Sequence, residues 1–175
     1  MEDRQEQEQR FEEARLAWIQ RHLRSSTKER RRRLEQGQKE KDMLFLKEIW
    51  WPVFGRLDDL HPQYEVQDEK GAPVFLDFAW LQGNQYFHIA VKEFETYARQ
   101  TEEERNREMM FNAYMTICGY RMLPIAYDAL VEDPAEIRSL MASFKEKADQ
   151  GKFGLFPSER RVYRYIELPQ GWRRR

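Results

Sequence analysis

Residues 73–99 read PVFLDFAWLQGNQYFHIAVKEFETYAR: an apolar run ending on Asp77, a turn at Gln82-Gly83-Asn84-Gln85, and a second apolar run ending on Lys92. Two β-prone runs joined by a Gly-Asn turn predict a hairpin. Strand side chains alternate between faces, so Ala90 and Lys92 point one way while Val91 and Glu93 point the other. Glu93 reaches the Asp77 side only through a bulge or a strand end at Lys92.

C-terminal to the hairpin, residues 101–118 predict a helix, with Thr101 and Glu104 spaced as a capping box and Gly119 as its C-cap. Residues 120–126, YRMLPIA, read as a strand in which Pro124 points to an edge position or a bulge. Asp133-Pro134 opens a last core helix that ends before Gly151. N-terminal to the hairpin, residues 63–67 alternate like a strand after a loop at Leu60-His61-Pro62, and residues 42–54 read as a core helix stopped by Pro52.

Residues 1–41 are almost all helix formers. Phe11, Leu16, Trp18, Ile19 and Leu23 recur near helical spacing as one narrow apolar stripe, and Thr27 is placed to cap a second, basic helix running to Gly37. Such an arm cannot bury a core alone; it must lie against the body, a partner chain or nucleic acid. The order helix, three strands, helix, strand, helix predicts an α/β protein. We divide it into an arm (1–41), a core (42–150) and a short C-terminal extension (151–175), in which residues from Ser158 read as a short capped helix.

Composition bounds the rest. The formal net charge of -1 hides clustering, because residues 21–34 are strongly basic and the chain ends Trp172-Arg173-Arg174-Arg175. Aromatics at 14% argue for a packed core and against disorder. The single cysteine, Cys118, excludes an internal disulfide and a cysteine-built zinc site, and its apolar surroundings predict a small core residue. No run is long and apolar enough to span a bilayer, which gives the expectation of a cytoplasmic protein without a membrane partner.

HPQYEV at 61–66, LDFAW at 76–80, IAVKEFETYAR at 89–99 and CGYRMLPIAYDAL at 118–130, in that order and spacing, resemble the very-short-patch-repair-like endonucleases of the PD-(D/E)XK superfamily. The resemblance covers roughly residues 43–141, and FLKEIWWPVFG at 45–55 is similar to a bacterial subgroup of that family. It implies a restriction-endonuclease-like three-layer α-β-α core around a mixed four-stranded sheet, with DNA as partner. It also implies a site made of Asp77, an acid where this chain has Ala90, and Lys92. Further departures are Glu93 where the family has Gly, Tyr97 where it has His, and Pro124 where it has Arg.

These departures set the functional expectations. Mg²⁺ sheds water reluctantly and needs protein acids or substrate phosphates around it, so Asp77 alone makes a weak site. The leading reading is DNA binding by a catalytically impaired domain, needing no cofactor, with Asp77, Lys92 and Glu93 as a vestigial or migrated site. In it Lys92 forms an ion pair with Asp77 and replaces the cation. The alternative is an active Mg²⁺-dependent endonuclease that pairs Asp77 with a migrated acid: Glu93, Glu95, or Glu48 on the first core helix as a metal ligand. Tyr97 is a poor base near neutral pH, and His22, His61 and His88 have no partner that spacing identifies.

For phosphate binding the candidates are Arg30, Arg31, Arg32 and Arg33 on the arm, Arg99 beyond the hairpin, and Arg105 and Arg107 on the next helix. Interspersed Arg and Glu also suit an ordinary solvated helix. A third reading therefore makes residues 1–41 a protein-interaction or homodimer surface that does not touch nucleic acid.

Overall fold

A computed structural model describes residues 4–151 and residue 153. The predicted hairpin forms as β2 (Pro73–Gln82) and β3 (Gln85–Lys92), with Gln82 opposite Gln85 across a turn whose Gly83 has φ +56°. β1 (Leu60–Gln67) pairs antiparallel with β2, and β4 (Tyr120–Ala126) pairs parallel with β3, giving a mixed sheet in the order β1-β2-β3-β4. β1 begins at Leu60 rather than Gln63: the segment predicted as a loop is strand, with His61 opposite Ala79 and Pro62 opposite Phe78. Pro62 and Pro124 lie in the two edge strands, where a missing N–H is tolerated.

Helices cover both faces of the sheet. On one side stand α1 (Arg4–Arg24), the helix that starts at α3 (Glu40–Phe45), and α8 (Pro134–Asp149), while α2 (Lys28–Glu35) packs beside edge strand β1. Their buried residues, among them Phe11, Trp18, Phe45, Ile49, Trp50 and Met141, close over Phe78, Trp80, Phe87, Ile89 and Val91 in the main core. On the other side α6 (Glu102–Ile117) sets Met115 against Leu76 and Ala79. Short α5 (Phe94–Arg99) and α7 (Tyr127–Glu132) follow β3 and β4.

The first core helix does not stop at Pro52. After Phe45 it widens into a π-helical segment, Leu46–Trp50, and then continues as α4 (Trp51–Phe54) to Gly55 at φ +64°. The wider turn leads into a new helical start with the proline in its first turn, where its absent N–H breaks nothing. α6 carries the expected capping box, and Asp133 caps α8 through the Glu136 N–H at 3.1 Å.

The arm is part of the fold. Its stripe residues Phe11 and Trp18 are both 1% exposed in the main core, and Trp18 Nε1 donates to the Leu60 carbonyl at 2.6 Å. Thr27 caps α2 as predicted and its hydroxyl also bonds Glu65. The apolar stripe is thus largely spent on the body rather than on a partner chain, though Leu16 remains exposed. Cys118 is exposed rather than core, because it sits at the C-cap of α6 beyond the face that meets the sheet. The helix predicted from Ser158 lies outside the described residues, and no described helix is long and apolar enough to cross a membrane.

Candidate functional site

The β2–β3 pairing ends with Phe78 opposite Ile89, and the next residue of each strand, Asp77 and Ala90, borders the same hollow. Asp77, His88, Ala90 and Lys92 line one hollow of about 580 Å³, whose far wall is α6. Phe87, Ile89 and Val91 face the main core, so the alternation expected of β3 holds. A smaller cleft of about 170 Å³ joins Asp77 and Lys92 to Lys41, Glu93, Tyr97 and Glu108.

Asp77 and Lys92 thus share a site, but they are not an ion pair. Lys92 Nζ donates to Glu108 Oε1 of α6 at 2.7 Å, and Gln100 Nε2 donates to Glu108 Oε2 at 2.9 Å. Burial pushes the Glu108 carboxyl upward, yet these bonds outweigh it and hold the group below its ordinary range. The cation facing Asp77 is Lys41, whose Nζ lies 3.8 Å from Asp77 Oδ2 and donates to the Val91 carbonyl at 2.5 Å. Neither Lys41 nor Glu108 was legible as a site residue, because each belongs to a helix whose placement depends on tertiary packing.

The first core helix also delivers a carboxylate, and it is Asp42. This residue is 2% exposed, its Oδ1 has no hydrogen-bond partner, and its pKa is pushed up to about 6. Burial is the main cause and the negative charge of Asp77 the second, opposed by Lys41 and Lys39. Glu48, the predicted first-helix ligand, instead lines a separate hollow with Glu8, Lys47 and Trp51. Helical periodicity explains the correction: six residues along the helix and past the start of the π segment, the side chain has turned away from Asp77.

Glu93 stands just past the end of β3, as N-cap of α5, and lines the smaller cleft with Asp77. The strand end is what allows it to reach that side. Its Oε2 accepts from the Thr96 hydroxyl at 3.0 Å. Glu95 is outward, in an exposed pair with Arg99 at 3.3 Å, and lines neither cavity.

A resident divalent ion is a poor fit to these residues as arranged. Asp42 and Asp77 supply oxygen, and the orphaned Asp42 Oδ1 is the kind of atom a hard cation would satisfy. However, an ammonium already lies between the Asp77 carboxylate and the Val91 carbonyl. No three His, Cys, Asp or Glu side chains among the described residues gather to hold a metal. What the arrangement supplies directly is charge: fixed cations at Lys41 and Lys92 over an acidic floor.

The arginines predicted to meet phosphate divide sharply. Arg30 is a structural residue, 7% exposed, whose guanidinium donates to the carbonyls of Pro62 at 2.8 Å and Gln63 at 2.9 Å. Arg32 and Arg33 pair with Glu29 at 2.7 and 3.3 Å, and the Arg33 guanidinium lies 4.2 Å from the Phe75 ring centroid. Arg105 donates to the carbonyl of Ala98 and sits over Tyr97, while Arg107 pairs with exposed Glu103 at 3.1 Å and also borders the large hollow. Arg31 is exposed on α2.

His88 and His22 are buried and neutral. Burial is the main cause that brings each down to about 4, with Lys92 also lowering His88 and Arg30 lowering His22. His61 packs edge-on to both His22 and Tyr64, so these rings are part of the seam between the arm and β1. No protein family, curated protein or solved structure matches this chain.

Proposed function

We propose that this chain binds DNA through a restriction-endonuclease-like core whose hydrolytic centre is impaired. The observation that carries the reading is the Lys41 ammonium between Asp77 and the Val91 carbonyl, with Ala90 where a second strand acid would stand. An internal cation there neutralises the acids without supplying a Lewis acid or an activated water. The order of elements, the parallel β3–β4 pair and Asp77 beside the β3 exit support the restriction-endonuclease-like assignment. For nucleic acid, support comes from α2 beside edge strand β1, where Arg31 and Arg32 are exposed and half-buried Arg33 lies over Phe75 at the rim of the hollow.

A supercoiled-plasmid nicking assay with Mg²⁺ and with Mn²⁺, run beside Asp77→Ala, tests the impairment. Salt-titrated binding of duplex and single-stranded DNA tests the partner. We expect binding that weakens steeply with salt and no nicking above the Asp77→Ala background.

One observation favours a second reading, an active Mg²⁺-dependent enzyme. Asp42 and Glu93 both approach Asp77, and the charges of Asp77 and Glu93 both raise the Asp42 pKa. Substrate phosphates complete many Mg²⁺ sites built from one or two carboxylates. Nicking that disappears in Asp77→Ala and in Asp42→Asn would establish this reading over the first.

A further inference from the structure

We infer that the large hollow between β2, β3 and α6 is a pocket for one unpaired nucleobase bearing an exocyclic amine, a proposal that rests on the nucleic-acid reading. The hollow measures about 580 Å³ and is walled by Phe75, Leu76 and Phe111, which suits a planar heterocycle. Two residues of its polar wall each hold a buried atom with no partner, His88 Nδ1 and Gln100 Oε1. Buried polar atoms without partners are uncommon and costly, so a pair of them bordering one cavity points to a ligand that supplies their bonds.

The kind of ligand follows from which bonds are missing. Gln100 Nε2 is committed to Glu108, which fixes the amide and leaves an oxygen that can only accept. His88 is 7% exposed and its neutral ring offers a nitrogen that accepts or donates according to tautomer. An amino group satisfies the first and its ring neighbours can satisfy the second. Adenine, cytosine and guanine carry such an amine; thymine and uracil do not.

The ligand need not be a cation, although acids border the cavity. Asp68 accepts from the backbone N–H groups of Lys70 and Ala72, Glu104 closes the capping box, Glu108 holds Lys92, and Asp77 faces Lys41. These four carboxylates are already partnered, and the fifth, Glu69, is exposed at the rim. The exposed side chains of Lys70 and Arg107 border the same space and suit the phosphate of the nucleotide whose base is turned in.

The test uses the full chain, with 2′-deoxyadenosine and thymidine as probes, followed by calorimetry and by the His88 ring-proton NMR signals. Deoxyadenosine should bind and shift the His88 signals, and thymidine should bind about tenfold more weakly, the value of one missing hydrogen bond. Gln100→Ala should weaken deoxyadenosine by a similar factor with an unchanged melting curve. Phe111→Leu serves as the second variant if Gln100→Ala does not fold. Equal binding of the two nucleosides, binding that leaves His88 unmoved, or no binding at millimolar concentration overturns the pocket. If DNA binds while neither nucleoside does, the pocket falls and the DNA reading stands; if deoxyadenosine binds at His88 and DNA does not, the reverse holds.

Discussion

Lys41 Nζ lies 3.8 Å from Asp77 Oδ2 while donating to the Val91 carbonyl, so the side chain links the first core helix to the middle of β2 and the exit of β3. Both partners are largely shielded, with side chains 14% and 20% exposed, and the attraction is screened less than on an open surface.

Lys41→Met keeps the apolar stem and removes the charge. We expect it to cost about 1–3 kcal/mol, measured by urea denaturation, because it leaves the Val91 carbonyl without this donor and Asp77 without its counter-charge. It should also open a cation position between Asp42, Asp77 and that carbonyl. Mn²⁺ titrated by electron paramagnetic resonance should bind the variant more tightly than the wild type, and the gain should vanish when Asp77→Asn is added. Equal Mn²⁺ affinity in wild type and Lys41→Met would remove Lys41 from the role of internal cation.

Asp42→Asn should stabilise the protein at neutral pH. The folded-state pKa of Asp42, about 6, lies above its ordinary 3.8, so its contribution to stability is present below pH 3.8 and is lost as pH rises through about 6. A shift of this size corresponds to about 3 kcal/mol at most, and relaxation around the buried charge reduces it. The urea midpoint of Asp42→Asn should exceed that of the wild type at pH 7 and approach it at pH 4. A variant less stable than wild type at pH 7 would show that the Asp42 carboxylate has a stabilising partner.

Much of this architecture is written locally. The Gly83-Asn84 turn, the Thr101 capping box and the Asp133-Pro134 start all act within a few residues, and each is found where the sequence places it. Ala90 and Lys92 on one wall follow from strand alternation alone. What failed was non-local. The run through His61-Pro62 is a strand only because β2 lies beside it, and the π segment that re-aims the helix after Phe45 has no composition signal in this chain. Asp42 rather than Glu48 meets Asp77 because six residues along the helix turn the side chain away. Likewise Arg30 reads as one more cation in a basic run, and only the Pro62 and Gln63 carbonyls mark it as buried.

Acid should unfold the protein through its histidines. His22 and His88 both have folded pKa values of about 4 against an ordinary 6.5, so the stability tied to their neutral forms is fully present above pH 6.5 and declines as pH falls to about 4. Each shift corresponds to about 3 kcal/mol. Asp42 works the other way over nearly the same interval and offsets roughly one of them. A net loss of about 3 kcal/mol between pH 7 and pH 4 should appear in urea denaturation. His22→Leu should flatten the slope, whereas a wild-type curve level over this range would mean that both rings charge without penalty.

The arginines of α2 should separate into two functions. Arg30→Gln removes a buried guanidinium from the carbonyls of Pro62 and Gln63, leaving them unpaired, and should cost about 2–3 kcal/mol in urea denaturation. Arg31→Gln with Arg32→Gln alters exposed side chains, one of them only in a surface pair with Glu29, and should change stability by less than about 1 kcal/mol. If α2 meets a phosphate backbone, the double variant should bind DNA more weakly and reduce the slope of log K against log salt by about one for each phosphate no longer neutralised. An unchanged slope in the folded double variant would take α2 out of the DNA interface and direct the next substitutions to Lys70 and Arg107 at the large hollow.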